Sequence, residues 1–406
     1  MPVRLKRVVV ENFKSFEHLD VSLNDFNVII GANASGKTNF LNVFRFIRDI
    51  AYHGLENAVS IQGGVEYLFN LQIGLSKPLV FELVFTGSKP LEFSDLIPED
   101  LSYKFSLVYD STAKKVKVLD EELFQTLVIK SKSKEETGFV KFKRVSDGRF
   151  QLDSYHPKII RERLRDIKAI YEPIFLINNL SSDTLFIQEM RWSFPLGIHP
   201  FGLTIKIFDF NPHAIKRAFH ISGMANLEED GSNLPLVLKN VFKRQENRHK
   251  LLLYLKDLLP HIKDISVDAF ADRSLILNFQ EDFTKDKPLP SFLISDGTMK
   301  ITALLVALLF ENSLFVAFEE PISHIHPSLI SRIINTMKDF SSKKQILLTT
   351  HNPEVVKYAG IENLLLVYRD KKGFSMVSRP SEKEEVKVFL KNEIGIDDLF
   401  VNNILT

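Results

Sequence analysis

The stretch that decides the fold is Gly31-Ala32-Asn33-Ala34-Ser35-Gly36-Lys37-Thr38, which has the form G-x-x-x-x-G-K-[ST]. It follows the mostly apolar run Phe26 to Ile30 and precedes a helical pattern from Asn39 to Ile50. A strand, a glycine-rich turn and a helix start make an anion site, because backbone N–H groups and the helix dipole point to one place. The sequence therefore predicts a phosphate-binding loop and a bound nucleotide.

Each position of this loop has an expected role. Gly31 and Gly36 let the backbone turn its N–H groups inward. Lys37 is expected to neutralise the β- and γ-phosphates, and the Thr38 hydroxyl to hold Mg²⁺. An ordinary glycine-rich turn before a helix would leave the lysine unexplained. The other predicted nucleotide contacts are Asn33, Ala34, Ser35 and Asn39.

Length and composition exclude several classes of protein. The 406 residues can form two or three domains, and 45% of them are hydrophobic, as in a globular protein. The net charge of +1 gives no overall attraction to nucleic acid, and the absence of cysteine excludes disulfides, thiolate metal sites and a cysteine nucleophile. No apolar run is as long as a membrane span. We expect a cytoplasmic protein with no membrane partner.

Apolar patterning places strands at both ends of the chain. The first fifty residues form a β-β-β-loop-helix unit. The last third alternates buried strands with helices, which indicates a mainly parallel sheet. Further predicted strands are Leu79–Phe85, Leu101–Tyr109, Phe124–Ile129, Phe139–Arg144, Phe175–Asn178, Leu314–Phe318, Gln345–Thr349, Leu364–Tyr368, Ser375–Val377 and a hairpin of Ile265–Phe270 with Ser274–Phe279. Predicted helices are Ile301–Phe310 and Pro327–Phe340.

Basic residues crowd the middle of the chain in two groups. The first extends from Lys130 to Arg149 and continues in a charged helical segment, His156 to Tyr171. The second lies in the helical segment Asn233 to Leu259. A solvated helix face is the simpler explanation, and a surface that contacts nucleic-acid phosphates is the alternative. No heptad pattern is sustained, so no long coiled coil is predicted.

Two later strands end in groups suited to phosphate hydrolysis. The apolar strand that ends at Phe318 is followed by Glu319, expected to reach Mg²⁺ through water, and by Glu320, expected to polarise the attacking water. His351 follows a second apolar strand and could bind the γ-phosphate and the water. The simpler alternatives are acidic residues that cap a strand end and a structural histidine.

The segment Ser295-Asp296-Gly297 precedes a helix, and Ser295 is a plausible N-cap. A helix N-terminus with a free hydroxyl is also an anion site. One γ-phosphate has one face on the phosphate loop and one open face. A second chain could present Ser295 to that open face.

Together these motifs resemble those of ATP-binding-cassette (ABC)-type ATPases of the RecF/SMC-like branch, especially compact bacterial AAA-type ATPases related to the OLD nucleases. The motifs fall in the family's order. They are Val10–Phe16, Gly31–Thr38, Ile294–Thr298, Phe315–Pro321, Ser323–Pro327 and Thr350–Pro353.

The resemblance implies an α/β, two-lobed ATPase head: a mixed β lobe plus a mainly parallel sheet with helices, a large α+β insertion and no long coiled coil. The implied segments are an N-terminal lobe at 1–125, a largely helical insertion at 126–285 and a C-terminal lobe at 286–406. The implied cofactors are ATP and Mg²⁺, bound between the two protomers of a homodimer or within a higher homo-oligomer.

In that dimer, Ser295 and Gly297 of one chain would close on the ATP held by Lys37 of the other, and Lys14 would lie near the phosphates. Three features depart from the family pattern. Glu319 stands where many relatives have Asp, Asp296 replaces a signature glycine, and the glutamine that links metal to the lobe interface has two candidates, Gln62 and Gln72.

The function implied by the resemblance is an ATP-hydrolysing switch. Its most favoured role is in bacterial anti-phage defence beside a separate effector, a nuclease or a toxin, and no fused nuclease is expected after His351. The alternative is a RecF-like ATPase that binds DNA during repair. A module that holds ATP without hydrolysing it is opposed by Glu320, and a transporter subunit is opposed by the turn Asn12 to Phe16.

Overall fold

The computed structural model describes residues 3–86, 96–130, 135–145, 148–155, 180–189, 204–221, 226–270, 273–284, 287–384, 386 and 396–401. Within these residues the chain forms seventeen strands and eleven α-helices. By contact density the chain divides into two compact units. The first comprises Met1–Asp25, Ala32–Ile205 and Val367–Ser378, and the second Phe26–Gly31, Lys206–Leu366 and Arg379–Thr406.

The strands are β1 Arg4–Phe13, β2 Phe16–Ser22, β3 Phe26–Ile30, β4 Leu79–Thr86, β5 Leu96–Asp110, β6 Lys115–Lys130, β7 Glu135–Arg144, β8 Phe150–Tyr155, β9 Ile205–Phe208, β10 Phe219–His220, β11 Ile262–Phe270, β12 Ser274–Glu281, β13 Leu289–Pro290, β14 Phe315–Glu319, β15 Gln345–Thr349, β16 Leu364–Arg369 and β17 Ser375–Ser378. The helices are α1 Lys37–His53, α2 Leu55–Ile61, α3 Val65–Leu68, α4 Phe186–Glu189, α5 Pro212–Ile215, α6 Leu234–Val241, α7 Gln245–Leu258, α8 Asp296–Phe310, α9 Pro327–Ser341, α10 Pro353–Ala359 and α11 Ile396–Val401.

The first unit is built on a seven-stranded antiparallel sheet in the order β2-β1-β4-β5-β6-β7-β8. Strand β4 alternates buried and half-buried residues, which is the pattern of a sheet with one covered face. Rings from β1, α1, β4 and β5 meet in that core, where Phe81 stacks on Phe105 with centroids 5.1 Å apart. Phe13 and Phe46 also contact Phe81. Helix α1, which begins with the last two residues of the phosphate loop, Lys37 and Thr38, is therefore anchored on the sheet.

The second unit contains the sheet β16-β3-β15-β14-β9, in which β16, β3, β15 and β14 are parallel. Strands β3 and β15 are buried at every residue, as in sheets covered on both faces. Helix α9 packs on β15 and β3, and α10 packs on β3. Helix α8 is buried along most of its length. A smaller antiparallel sheet, β10-β12-β11 with β13 beside β12, completes this unit.

These elements confirm the predicted α/β fold class, a mixed β lobe together with a mainly parallel sheet flanked by helices. The predicted strands and helices in the described residues are present, and most of their ends agree within two residues. Strands β5, β6 and β7 begin five, nine and four residues before the predicted starts at Leu101, Phe124 and Phe139. Helix α8 begins five residues before the predicted Ile301 because its polar first turn, capped by Ser295, is also helical. The segment Asn233–Leu259 is divided into α6 and α7.

Some predictions lie outside the described residues, including the charged helix His156–Tyr171 and the strand Phe175–Asn178. The longest described helix, α1, has 17 residues, so the described part of the chain holds no long coiled coil. Between 126 and 285 the described residues form both strands and helices, and the three-segment division at 125 and 285 stays a prediction. None of the helices described here combines the length and hydrophobicity needed to cross a bilayer.

Candidate active site

Three adjacent parallel strands of the second unit end at one edge of the sheet. Glu319 at the end of β14 pairs with Thr349 at the end of β15, and Thr349 pairs with Ile29 near the end of β3. Glu320 and the first loop residue, Gly31, directly follow β14 and β3, and His351 follows β15 after one residue. Ligands of open α/β sheets bind beyond the carboxyl ends of the strands. The structure thus brings both predicted catalytic side chains to the edge where the phosphate loop begins.

The backbone of Glu320 is held in an unfavourable conformation. Its φ is 43°, in the left-handed region that favours glycine. Its N–H donates to Thr349 Oγ1 at 3.2 Å, and its carbonyl accepts from Ser323 Oγ at 3.0 Å. Such strain persists only when several contacts enforce it, and it is concentrated at functional sites. The direction of the Glu320 side chain is therefore fixed by the loop around it.

That side chain meets His351. Glu320 Oε1 lies 2.8 Å from His351 Nδ1, and the imidazole is 63% exposed. When Nδ1 carries the proton it donates to the carboxylate, and Nε2 faces outward as an acceptor. A carboxylate paired with an exposed imidazole can position a water molecule and accept its proton.

A buried lysine, which the sequence analysis did not predict, also supports Glu320. Lys300 lies in α8 and is 5% exposed. Its Nζ donates to the Glu320 carbonyl at 3.4 Å and to Ser323 Oγ. Burial lowers the pKa of Lys300. A lysine at the start of an otherwise apolar helical run was the signal that could have identified it.

The start of α8 is rigid. Ser295 is its N-cap, with Oγ accepting the Thr298 N–H at 3.1 Å, as predicted. Asp296 forms an ion pair with Lys216, which lowers the pKa of Asp296 through their hydrogen bond. A Cβ on Gly297 would lie 2.9 Å from the His324 carbonyl oxygen, so only glycine fits there without a shift. The contact of Ser295 and Gly297 with a nucleotide stays a prediction.

From Ala32 onward the phosphate loop belongs to the first unit. Ala34 and Gly36 have φ values of 62° and 116°, so two loop residues are left-handed. Lys37 Nζ donates to the Ala32 carbonyl across the loop at 3.0 Å. Ser35 Oγ is buried and has no hydrogen-bond partner among the described residues. A buried hydroxyl without a partner and a left-handed glycine-containing turn both fit a loop shaped for an anion.

The predicted contact Lys14 lies in a second left-handed turn of the first unit. Its Nζ donates to the Gln62 carbonyl at 3.3 Å, and burial lowers its pKa. Beside it is a cavity of about 370 Å³. The lining includes Lys14, Ser15, Asn39, Tyr67, Gln72 and Arg369. Of the two candidate glutamines, Gln72 lines this cavity.

The residues predicted to hold Mg²⁺ have suitable donor atoms. Thr38 is exposed and Glu319 is half-buried, and both present oxygen. No cluster of three or more acidic or histidine side chains that could hold a metal occurs in the part of the chain that the structure describes. The two oxygen donors, Thr38 and Glu319, fit Mg²⁺, which is bound through one or two protein oxygens together with substrate phosphates.

The sequence matches a known family over most of its length. Residues 26–357 match the family described as "AAA domain, putative AbiEii toxin, Type IV TA system". The chain belongs to this family. The assignment agrees with the motifs, which are those of the RecF/SMC-like branch of ABC-type ATPases.

Several known proteins are similar to all or part of this chain. The DNA replication and repair protein RecF of Streptococcus pyogenes is 25% identical over 290 residues, which are 58% of this chain and 77% of that protein. The endonuclease GajA of Bacillus cereus is 40% identical over 47 residues, 12% of this chain and 8% of GajA. The Smc head domain of Pyrococcus furiosus, bound to the C-terminal domain of ScpA, aligns with 14% identity and a TM-score of 0.49 over 97% of this chain and 100% of that one. The chain spans 38% or less of the length of three of the curated relatives it matches.

Proposed function

We propose that the protein binds and hydrolyses Mg-ATP and uses the cycle as a switch for a separate effector. The observation that carries the proposal is the Glu320–His351 pair at the carboxyl ends of β14 and β15, next to the strand that enters the phosphate loop. Hydrolysis of a phosphoanhydride needs positioning and charge stabilisation more than covalent chemistry. In this proposal Glu320 acts as the base, and Lys37 and the phosphate loop supply the positioning and the charge stabilisation.

Each residue has a role in this proposal. Glu320 orients the attacking water and accepts its proton, and His351 holds the carboxylate in place and faces the γ-phosphate. Lys37 leaves the Ala32 carbonyl to neutralise the phosphates, and Ser35 Oγ and the loop N–H groups bind their oxygens. Thr38 and Glu319 would hold Mg²⁺, which would supply charge neutralisation at the phosphates.

The cavity beside Lys14 is the proposed position of the nucleoside. Its volume of about 370 Å³ lies in the range of small-molecule sites. Exposed apolar side chains at its rim, Tyr67 and Leu71, offer a surface for a flat base. The other proposed nucleotide contacts are Gly31, Asn33, Ala34, Gly36, Asn39, Ser295 and Gly297.

Two copies are proposed to enclose the nucleotides, with Ser295 and Gly297 of one facing the ATP of the other. Anti-phage defence with a nuclease or toxin as effector is the favoured role, supported by the toxin–antitoxin description of the family and the short match to an endonuclease. We place the protein in the cytoplasm, where Mg-ATP is available.

The alternative is a DNA-binding ATPase in repair. It is favoured by the longer alignment with RecF, whose name places that protein in DNA replication and repair. Duplex DNA titrated into the protein at two salt concentrations separates the roles. DNA binding that weakens steeply as salt rises would indicate contacts to phosphates and favour repair. Co-purification with a neighbouring nuclease or toxin, together with no affinity for DNA, would favour defence.

The deciding experiment for hydrolysis compares Glu320→Gln with the wild type. Loss of a general base lowers the rate by about 10²–10⁴-fold, and we expect phosphate release to fall by that amount while ATP still binds. Glu246→Gln, an exposed carboxylate in the first turn of α7, is the matched control and should hydrolyse ATP normally. Equal phosphate release from wild type and Glu320→Gln would show that the mechanism is wrong.

A further inference from the structure

We propose that Ser375, on β17, is a positioning residue that sets the phosphate loop in its anion-binding conformation. The inference rests on the proposed nucleotide binding by that loop. Ser375 is 0% exposed. Its Oγ lies 2.6 Å from the Ser35 carbonyl oxygen and 2.8 Å from Ser15 Oγ. Its backbone N–H donates to the Ser15 carbonyl at 2.8 Å.

The direction of these hydrogen bonds follows from the atoms involved. A carbonyl oxygen can only accept a hydrogen bond. The single hydroxyl proton of Ser375 therefore points to the Ser35 carbonyl oxygen when this bond forms. Ser15 Oγ accepts from the Asn39 side-chain amide at 2.8 Å, and its own proton can then serve Ser375. In this arrangement the Asn39 amide donates to Ser15 Oγ, Ser15 Oγ donates to Ser375 Oγ, and Ser375 Oγ donates to the Ser35 carbonyl. Such an aligned chain strengthens each of its members.

Holding the Ser35 carbonyl also orients the next N–H group. In a trans peptide the carbonyl and the following N–H point in opposite directions. The bond from Ser375 to the Ser35 carbonyl therefore directs the Gly36 N–H away from Ser375, within the same peptide plane. The preceding peptide is held in the same way, because Arg369 Nε on β16 donates to the Ala34 carbonyl at 3.1 Å. Two consecutive loop carbonyls are thus bound by side chains of β16 and β17.

The close approach of Ser375 also gives a second reason for glycine at position 36. A Cβ on Gly36 would lie 2.3 Å from Ser375 Oγ and 3.2 Å from Ser15 Oγ. Glycine is needed there for its φ of 116° and for the space that Ser375 occupies. Gly36 and Ser375, far apart in sequence, form one contact that shapes the loop.

The test compares Ser375→Ala with Ser378→Ala, a serine of the same strand whose buried Oγ has no hydrogen-bond partner among the described residues. Calorimetric titration with Mg-ATP should give a Kd about 10-fold higher for Ser375→Ala, because the Ser35 carbonyl loses its buried donor. The kcat at saturating ATP should stay within about twofold of the wild type, because Glu320 and His351 are unchanged. Ser378→Ala should bind ATP as the wild type does.

A third variant, Ser15→Ala, keeps the bond from Ser375 to Ser35 and should raise Kd by less than Ser375→Ala does. If Ser375→Ala fails to fold, which thermal unfolding without nucleotide would reveal, Ser375→Cys serves as the test and should also raise Kd, because a thiol is a weaker donor to the Ser35 carbonyl. A merely structural Ser375 would lower the thermal midpoint and leave Kd unchanged, and that result would overturn the inference. Equal losses of affinity in Ser375→Ala and Ser378→Ala would also overturn it. Absence of ATP binding by the wild type would instead refute the proposed function, and this inference with it.

Discussion

The carboxylate of Glu320 and the imidazole of His351 are 2.8 Å apart, although 31 residues separate them in the chain. Adjacent parallel strands β14 and β15 bring them together, and the strained backbone of Glu320 aims the carboxylate at the ring. The contact between the two side chains is therefore positioned by the sheet and by the loop that follows β14.

Replacement of His351 by alanine should lower kcat for ATP hydrolysis by about 100-fold, because the Glu320 carboxylate loses its orienting partner and the γ-phosphate loses a proposed contact. ATP affinity should change by less than about threefold, because the main phosphate contacts are proposed to come from the loop. Fixed-time phosphate-release assays measure kcat, and calorimetry measures ATP affinity. His249→Ala, an exposed histidine of α7, is the control. A large loss of affinity with unchanged kcat would assign His351 to binding alone.

Replacement of Ser295 by arginine should abolish ATP hydrolysis and leave ATP binding by the single chain intact, because the proposed role of Ser295 is toward the nucleotide of a partner. Ser295→Ala separates the lost N-cap, worth about 1 kcal/mol of stability, from the blocked interface. Hydrolysis and the mass of the ATP-bound species should be measured together. If Ser295→Arg fails to bind ATP, the role toward a partner copy is wrong.

Replacement of Lys300 by methionine should lower kcat about 10-fold with little change in ATP affinity, because the Glu320 carbonyl and Ser323 lose a shared donor. The loss of stability should be small, because the Glu320 carbonyl still accepts a hydrogen bond from Ser323 Oγ. Lys300→Arg should recover part of the rate. Lys256→Met, at an exposed position of α7, is the control. Unchanged kcat in Lys300→Met would show that this lysine does not position Glu320.

The ion pair between Asp296 and Lys216 predicts a specific pH dependence. Because the folded-state pKa of Asp296 is lowered, its contribution to stability is complete above the unfolded pKa of about 4 and is lost as pH falls through the folded pKa. The unfolding free energies of the wild type and Asp296→Asn, measured in urea, should therefore differ at pH 6 and become equal as the pH approaches 2.5. A difference in unfolding free energy that is constant with pH would contradict this assignment.

Much of the site could be predicted from sequence because its residues stand at element ends that carry local signals. Gly31 to Thr38, Glu320 and His351 each follow an apolar strand, and Ser295 precedes a helix, so their positions follow from the parallel sheet. Ser375 gave no such signal. Its role arises from the approach of β17 to Ser15 and Ser35, a contact between distant segments that periodicity does not encode.

At Glu320, the residue proposed for catalysis has a left-handed backbone conformation that lowers the stability of the fold. A non-glycine residue in this conformation costs about 1–2 kcal/mol, which glycine would not incur. Glycine there would relieve the strain and remove the proposed base. A screen that selects only for heat resistance would thus favour changes at this position that remove the proposed activity.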